Sequence, residues 1–196
     1  NEAFIIDTPT KERLCAEDPK SAEILKPILR GRDIKRYCYE WAGLWLIFIP
    51  WHFPLHNNST IIGASLKAEK EFEKQYPAIY YHLQQFKEQL SKRNKAETGI
   101  RYEWYALQRC AATYYEEFEK EKVVWQEICQ EPTFSYDDKN LFCNDTGRIL
   151  SGNNILFLIG LFNSKFFKYT FSNWYSGGAL GEKGIRFKSE FMKEYP

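Results

Sequence analysis

The sequence predicts an α+β fold: mixed, mostly antiparallel strands with a long amphipathic helix and a C-terminal helix. Three observations lead there. Phe72, Tyr76, Ile79, Leu83, Phe86 and Leu90 recur at alternating steps of four and three, the mark of one buried helix face. Four short β-branched or aromatic runs between residues 123 and 150 are separated by polar turns. Strands and helices follow no regular βαβ rhythm, which argues against a doubly wound parallel sheet.

Taken in order, AFIID reads as an entering strand that ends at a Thr-Pro turn. Asp18-Pro19 opens a short helix through Ser21–Leu25, which Pro27 limits. Arg30-Gly31 reads as a turn. Leu44–Ile49, closed by Pro50, is a strand covered on both faces, and Ile61–Gly63 is a further short strand. The amphipathic helix runs from Leu66 to Arg93, kinked or restarted at Pro77, with its seam in the core. After Thr98-Gly99, RYEWYALQRCAATYYEEF resumes a helical pattern. Val123–Trp125, Phe134–Tyr136, Leu141–Cys143 and Arg148–Leu150 are the strand candidates. Asn153-Asn154 caps a helix from Ile155 to about Phe171. SGGALGEKG is a glycine-rich loop, and IRFKSEFMKEY is the last element.

With 196 residues, 44% of them hydrophobic and 17% aromatic, the chain can bury a substantial core, so long disorder is not expected. Its apolar runs are too short to cross a bilayer. Five widely spread cysteines, none in a C-x-x-C, point to neither a disulfide framework nor a zinc site and fit a reducing, cytoplasmic setting. The chain starts without Met and stops at Tyr195-Pro196, giving the expectation of one domain, residues 1–196, excised from something larger.

The net charge of +1 is unevenly distributed. Residues 26–36 hold five Lys/Arg against one Asp; 92–109 hold five against two Glu; 165–188 hold five against one Glu. Residues 126–145 reverse the pattern, with five acids against one Lys. Such polarisation suits a polyanionic partner, although solvated loops with scattered charge account for it equally well.

Catalytic machinery is not evident. His52 and His56 have ligand spacing but Pro54 lies between them, and no Glu completes a zinc-binding helix. Gly177, Gly178, Gly181 and Gly184 lack the ending of a phosphate-binding loop, and no N-P-P-Y stretch occurs. Asp33-Ile34-Lys35 with Asp18 upstream only superficially matches a metal-dependent nuclease. Recognition chemistry remains: Arg and Lys neutralise phosphates, Arg pairs with guanine and Gln with adenine in the major groove. If helical, 101–109 would place Arg101, Tyr105 and Gln108 on one face, with Tyr102 and Arg109 in register.

NEAFIID, SAEILKPILRGRDIKRY, RYEWYALQR, FEKEKVVW, LFNSKFFKY and GIRFKSEFMKEYP, in that order, together resemble the TaqI-like C-terminal specificity domain. That family is the target-recognition domain of N6-adenine DNA methyltransferases and of fused type IIG restriction–modification enzymes. Ala106, Glu121 and Phe162 depart from residues common in the family. The resemblance implies a non-catalytic module that reads double-stranded DNA in a prokaryotic cytoplasm. A methyltransferase domain of the same parent chain would hold S-adenosylmethionine, and Mg2+ would enter only with a fused nuclease; this domain would need no cofactor.

On that reading Arg30, Arg32, Lys35 and Arg36 clamp the DNA backbone, while Arg101, Tyr102, Gln108 and Arg109 are set to specify bases. Gly177, Gly178, Lys183 and Arg186 form a third DNA-binding segment, and the loops His52–Thr60 and Gln130–Gly147 are further candidates for base contacts. A structural alternative stands beside the clamp: Asp33 pairs Arg36, and Ile34 and Tyr37 anchor the turn. A protein-interaction module docking through 126–145 is the rival from a different class.

Overall fold

The computed structural model describes residues 3–93, 102–108, 114–176 and 184–196. The chain divides into two compact units, Asn1–Lys26 with Gly43–Tyr115, and Pro27–Ala42 with Glu116–Pro196.

The first unit begins with β1 (Ile5–Asp7) and α1 (Thr8–Glu17). Thr-Pro therefore starts a helix where a turn was expected. Asp7 caps it by accepting from the Thr10 amide at 2.9 Å, and Pro9 sits in the first turn, where its missing N–H is no loss. The Asp18-Pro19 segment folds as a 3-10 helix, Pro19–Ile24, leading into β2 (Leu25–Leu29), which carries the chain out of this unit. The chain returns as β3 (Leu44–Ile47), antiparallel to β1 with Ile5 opposite Leu46.

The amphipathic pattern forms three successive helices: α2 (Leu66–Gln75), α3 (Pro77–Gln84) and α4 (Lys87–Ser91). Tyr76 leaves helical geometry just before Pro77, whose ring disfavours that geometry in the preceding residue. The seam is core: Phe72, Tyr76, Ile79 and Leu83 are buried with Leu14, Ile47 and Tyr105. Phe72 and Tyr105 stack at 4.5 Å between ring centres. Ile61–Gly63 forms no strand.

In the second unit β4 (Lys122–Gln126) is followed by β5 (Ile128–Cys129), β6 (Phe134–Asp137), β7 (Phe142–Cys143) and β8 (Gly147–Ser151). β4 runs antiparallel to β6 and β8 at the centre of a three-stranded sheet, while β7 pairs in parallel with the end of β2. α5 (Ile155–Phe162) and α6 (Lys165–Trp174) follow, then β9 (Ile185–Arg186), which pairs with β5, and the C-terminal α7 (Ser189–Lys193).

The single helix expected over 155–171 is broken at Asn163-Ser164. Asn163 is buried, its side-chain amide donating to the Phe134 carbonyl at 2.8 Å and its side-chain oxygen accepting from the Phe134 amide at 3.1 Å. Ser164 then caps α6 through the Phe167 amide. This clamp holds the helices on the sheet over a core of Trp125, Phe134, Phe162, Phe167, Phe171 and Phe187. Among the described residues no helix is long and apolar enough to cross a membrane.

Candidate nucleic-acid interface

The basic cluster follows β2, in a turn the second unit grips from several sides. Gly31 is required there, because an added Cβ would lie 2.7 Å from the Thr146 carbonyl oxygen. The Gly31 amide donates to the Thr146 hydroxyl at 3.0 Å, and the Asn144 amide donates to the Leu29 carbonyl at 3.0 Å. Ile34 is buried with Leu29, Val124 and Leu141. A bridge joins Ile34 to Tyr39, whose hydroxyl donates to Asp137 at 3.2 Å. Asp137 in turn meets Lys122 at 2.5 Å, both side chains fully buried, while Lys122 also donates to the Phe118 carbonyl at 2.6 Å. Burial, with the Asp137 charge beside it, pushes the Tyr39 hydroxyl well above its ordinary pKa.

Asp33 is buried and pairs with Arg30, not with Arg36. It accepts from the Arg30 backbone amide at 2.9 Å and from Nη2 at 2.7 Å, and Arg30 Nε lies 2.9 Å from its second oxygen. Burial works against the charge of Asp33, but these bonds and the Arg30 charge outweigh it and hold the carboxyl below its usual value. Arg30 is raised by the same partner. Arg30 is thus a brace of the turn.

Arg32, Lys35, Arg36 and Tyr37 are exposed. Lys35 Nζ returns to the Arg32 carbonyl at 2.8 Å, and Arg36 Nη2 donates to the Asn163 carbonyl at 2.7 Å while its guanidinium lies over the Tyr37 ring. Contrary to the structural alternative, the exposed side chain of Tyr37 does not anchor the turn; its backbone does, donating to the Phe134 carbonyl at 3.0 Å. Three cations on a turn whose own carboxylate is already satisfied are suited to phosphate oxygens.

The stretch 102–108 is irregular, so Tyr105 and Gln108 do not share the helical face expected of them. Tertiary bonds override the pattern. Tyr105 is fully buried and donates to the Phe53 carbonyl at 2.9 Å. Trp104 Nε1 donates to Glu69 at 2.7 Å. Glu103, buried, accepts from the amides of His52 at 2.8 Å and Ser65 at 3.0 Å. Tyr102 stacks on Trp51 with ring centres 5.2 Å apart, and Gln108 is half-buried. Arg101 and Arg109 lie outside the described residues, as do Gly177, Gly178 and Lys183.

Arg186 is half-exposed, and its Nε donates to Glu127 at 2.8 Å; Arg148 pairs with the same carboxylate. In the acidic stretch Glu127, Glu131 and Asp137 are thus each ion-paired within their own unit, to Arg148 and Arg186, to Lys168, and to Lys122. That leaves a weaker acidic face for docking than the sequence offered. Asp33 is engaged by Arg30, and among the described residues no group of three His, Cys, Asp or Glu could hold a metal ion. His56 stacks on Phe53 instead, and burial lowers its pKa. Sequence reasoning missed Asn144, Thr146 and Asn163 as supports of the turn; the Asn-Asp-Thr-Gly run was a readable turn signal, but Asn163 had none.

The model of the TaqI-like C-terminal specificity domain matches residues 26–188. Among solved structures the chain is similar to the Type IIL restriction-modification enzyme MmeI, described in complex with DNA, with a TM-score of 0.53 and 15% identity. The likeness, which shows a shared fold, covers 95% of this chain and 22% of that one. No curated protein matches the chain.

Proposed function

The chain belongs to the TaqI-like C-terminal specificity domain family, and from that premise we propose that it recognises a specific double-stranded DNA sequence for a linked adenine-N6 methyltransferase. The observation that carries this reading is the turn 31–37, which is fixed by the sheet and presents Arg32, Lys35 and Arg36 outward. Phosphate contacts from these three set the register of the module on the duplex. Bases are then read by side chains elsewhere, with Gln108 and Arg186 the described candidates and Arg101 and Arg109 at either end of the stretch that holds Gln108. The module itself is non-catalytic. S-adenosylmethionine, and Mg2+ where a nuclease is fused, belong to other domains of the protein, which extend beyond a chain that spans about a fifth of the MmeI length.

Selection from a random duplex library at low salt tests the proposal. Enrichment of one short sequence is expected, with no methyl transfer from labelled S-adenosylmethionine by this chain alone. Failure to retain any duplex would overturn it.

A further inference from the structure

Tyr37 has a backbone conformation that an aromatic residue rarely adopts. Its φ of +66° lies in the left-handed region, as do those of His52, Asn140 and Asn154. Asparagine tolerates that region through local hydrogen bonds; for a bulky side chain it is a true outlier. His52 has compensation, since its amide and its ring Nδ1 both meet the buried Glu103, at 2.8 and 3.0 Å. The side chain of Tyr37 has no comparable compensation. The residue is 53% exposed, and its ring meets only the Arg36 guanidinium, 5.3 Å from its centre, among the described residues.

The strain is nevertheless imposed firmly. The Tyr37 amide donates to the Phe134 carbonyl at 3.0 Å, and the Lys35 amide to the Cys38 carbonyl at 2.8 Å, closing the turn around it. Glycine or asparagine would satisfy this backbone more cheaply, so the fold gives no reason for tyrosine here. Backbone strain without a packing reward is a feature of ligand-contacting positions. The surroundings indicate the ligand: a flat π-face backed by a guanidinium, with Arg32 and Lys35 on the same short turn, matches a nucleotide, which joins a planar base to a phosphate.

We propose that Tyr37 is a DNA-contact residue whose ring stacks on a nucleotide of the bound duplex, beside phosphates held by Arg32, Lys35 and Arg36. The inference rests on the function proposed above and adds a non-ionic contact to an ionic one. Stacking is indifferent to base identity and releases no counterions, so it raises affinity without adding to salt dependence.

The test compares the wild-type chain with Tyr37→Gly, Tyr37→Asn and Tyr37→Phe. Fluorescence anisotropy with a labelled duplex over a salt series is measured beside the thermal midpoint. The Gly and Asn variants are expected to melt no lower than wild type, to bind about tenfold more weakly, and to keep the wild-type salt slope. Tyr37→Phe should bind like wild type. Gly and Asn variants that bind as tightly as wild type would overturn the inference, as would weakened binding with a lower melting point or a shallower slope. A wild-type chain that binds an acidic peptide but no duplex would instead sink the proposed function itself.

Discussion

Two short stretches, the basic 30–37 and the aromatic-rich 102–108, meet opposite fates. Each mixes aromatic with ionisable residues, and each places a carboxylate inside the fold: Asp33 in one, Glu103 in the other. Glu103 gathers donors from distant loops, the amides of His52 and Ser65, and around it Tyr102, Trp104 and Tyr105 face the core. Among the described residues the hydrogen bonds of the Asp33 carboxylate come from its neighbour Arg30, so the turn closes on itself and its later cations face solvent. The difference lies in what the buried acid recruits. An acid satisfied from far away ties its stretch into the core, whereas one satisfied locally leaves the adjacent charges to a partner.

The strongest way to break this comparison lies beneath the turn. Asp137→Ala would strand Lys122 without its counter-ion in a site of zero exposure and remove the acceptor of Tyr39. Removing one member of a buried pair costs about 3–5 kcal/mol, and urea unfolding should show a loss of that size. A loss below 1 kcal/mol would mean that the turn does not rest on this pair. Glu103→Ala comes next, with an expected cost of about 2–3 kcal/mol from the orphaned amides of His52 and Ser65. Its folded fraction should bind DNA as wild type does, because Glu103 is buried and structural; weaker binding at unchanged stability would place Glu103 in the interface.

A smaller effect appears in the acid limb. The Asp33 carboxyl is held below its ordinary value because the bonds and charge of Arg30 outweigh the effect of burial. A carboxylate depressed by folding contributes stability above its unfolded pKa of about 3.9, lost as pH falls through the folded value. The stability gap between wild type and Asp33→Asn should therefore be full near neutral pH and narrow below about pH 4. Urea midpoints from pH 7 to pH 3 provide the check, and a constant gap would show that the charge of Asp33 does not brace the turn.

Periodic features were legible in the sequence. The seam from Phe72 to Leu90 was readable because burial on one helix face repeats at three and four residues, and the cores of β4, β6, β7 and β8 were readable from their turns. What escaped depended on partners distant in sequence. The break at Asn163 is made by the backbone of Phe134, 29 residues away, and interrupts an otherwise continuous helical pattern. The irregularity of 102–108 is imposed by Glu69, Phe53, His52 and Ser65. α1 escaped for a local reason, since Thr-Pro can close a strand or open a helix and only the Asp7 cap decides. At the candidate site, the basic turn and the burial of Ile34 were legible, whereas the choice of Arg30 over Arg36 by Asp33 and the exposure of Tyr37 required three dimensions.

The central claim is that the turn 31–37 holds duplex DNA through exposed cations fixed from beneath. The salt dependence of duplex binding, measured for wild type and for Arg32→Ala with Lys35→Ala, tests it most directly. If about five phosphates are contacted, log K should fall with log salt at a slope of roughly −4 to −5. The double variant should fold as stably as wild type, lose about 1 kcal/mol per contact on every sequence alike, and have a slope shallower by about two. A wild-type slope near zero, or a double variant with an unchanged slope, would contradict the account.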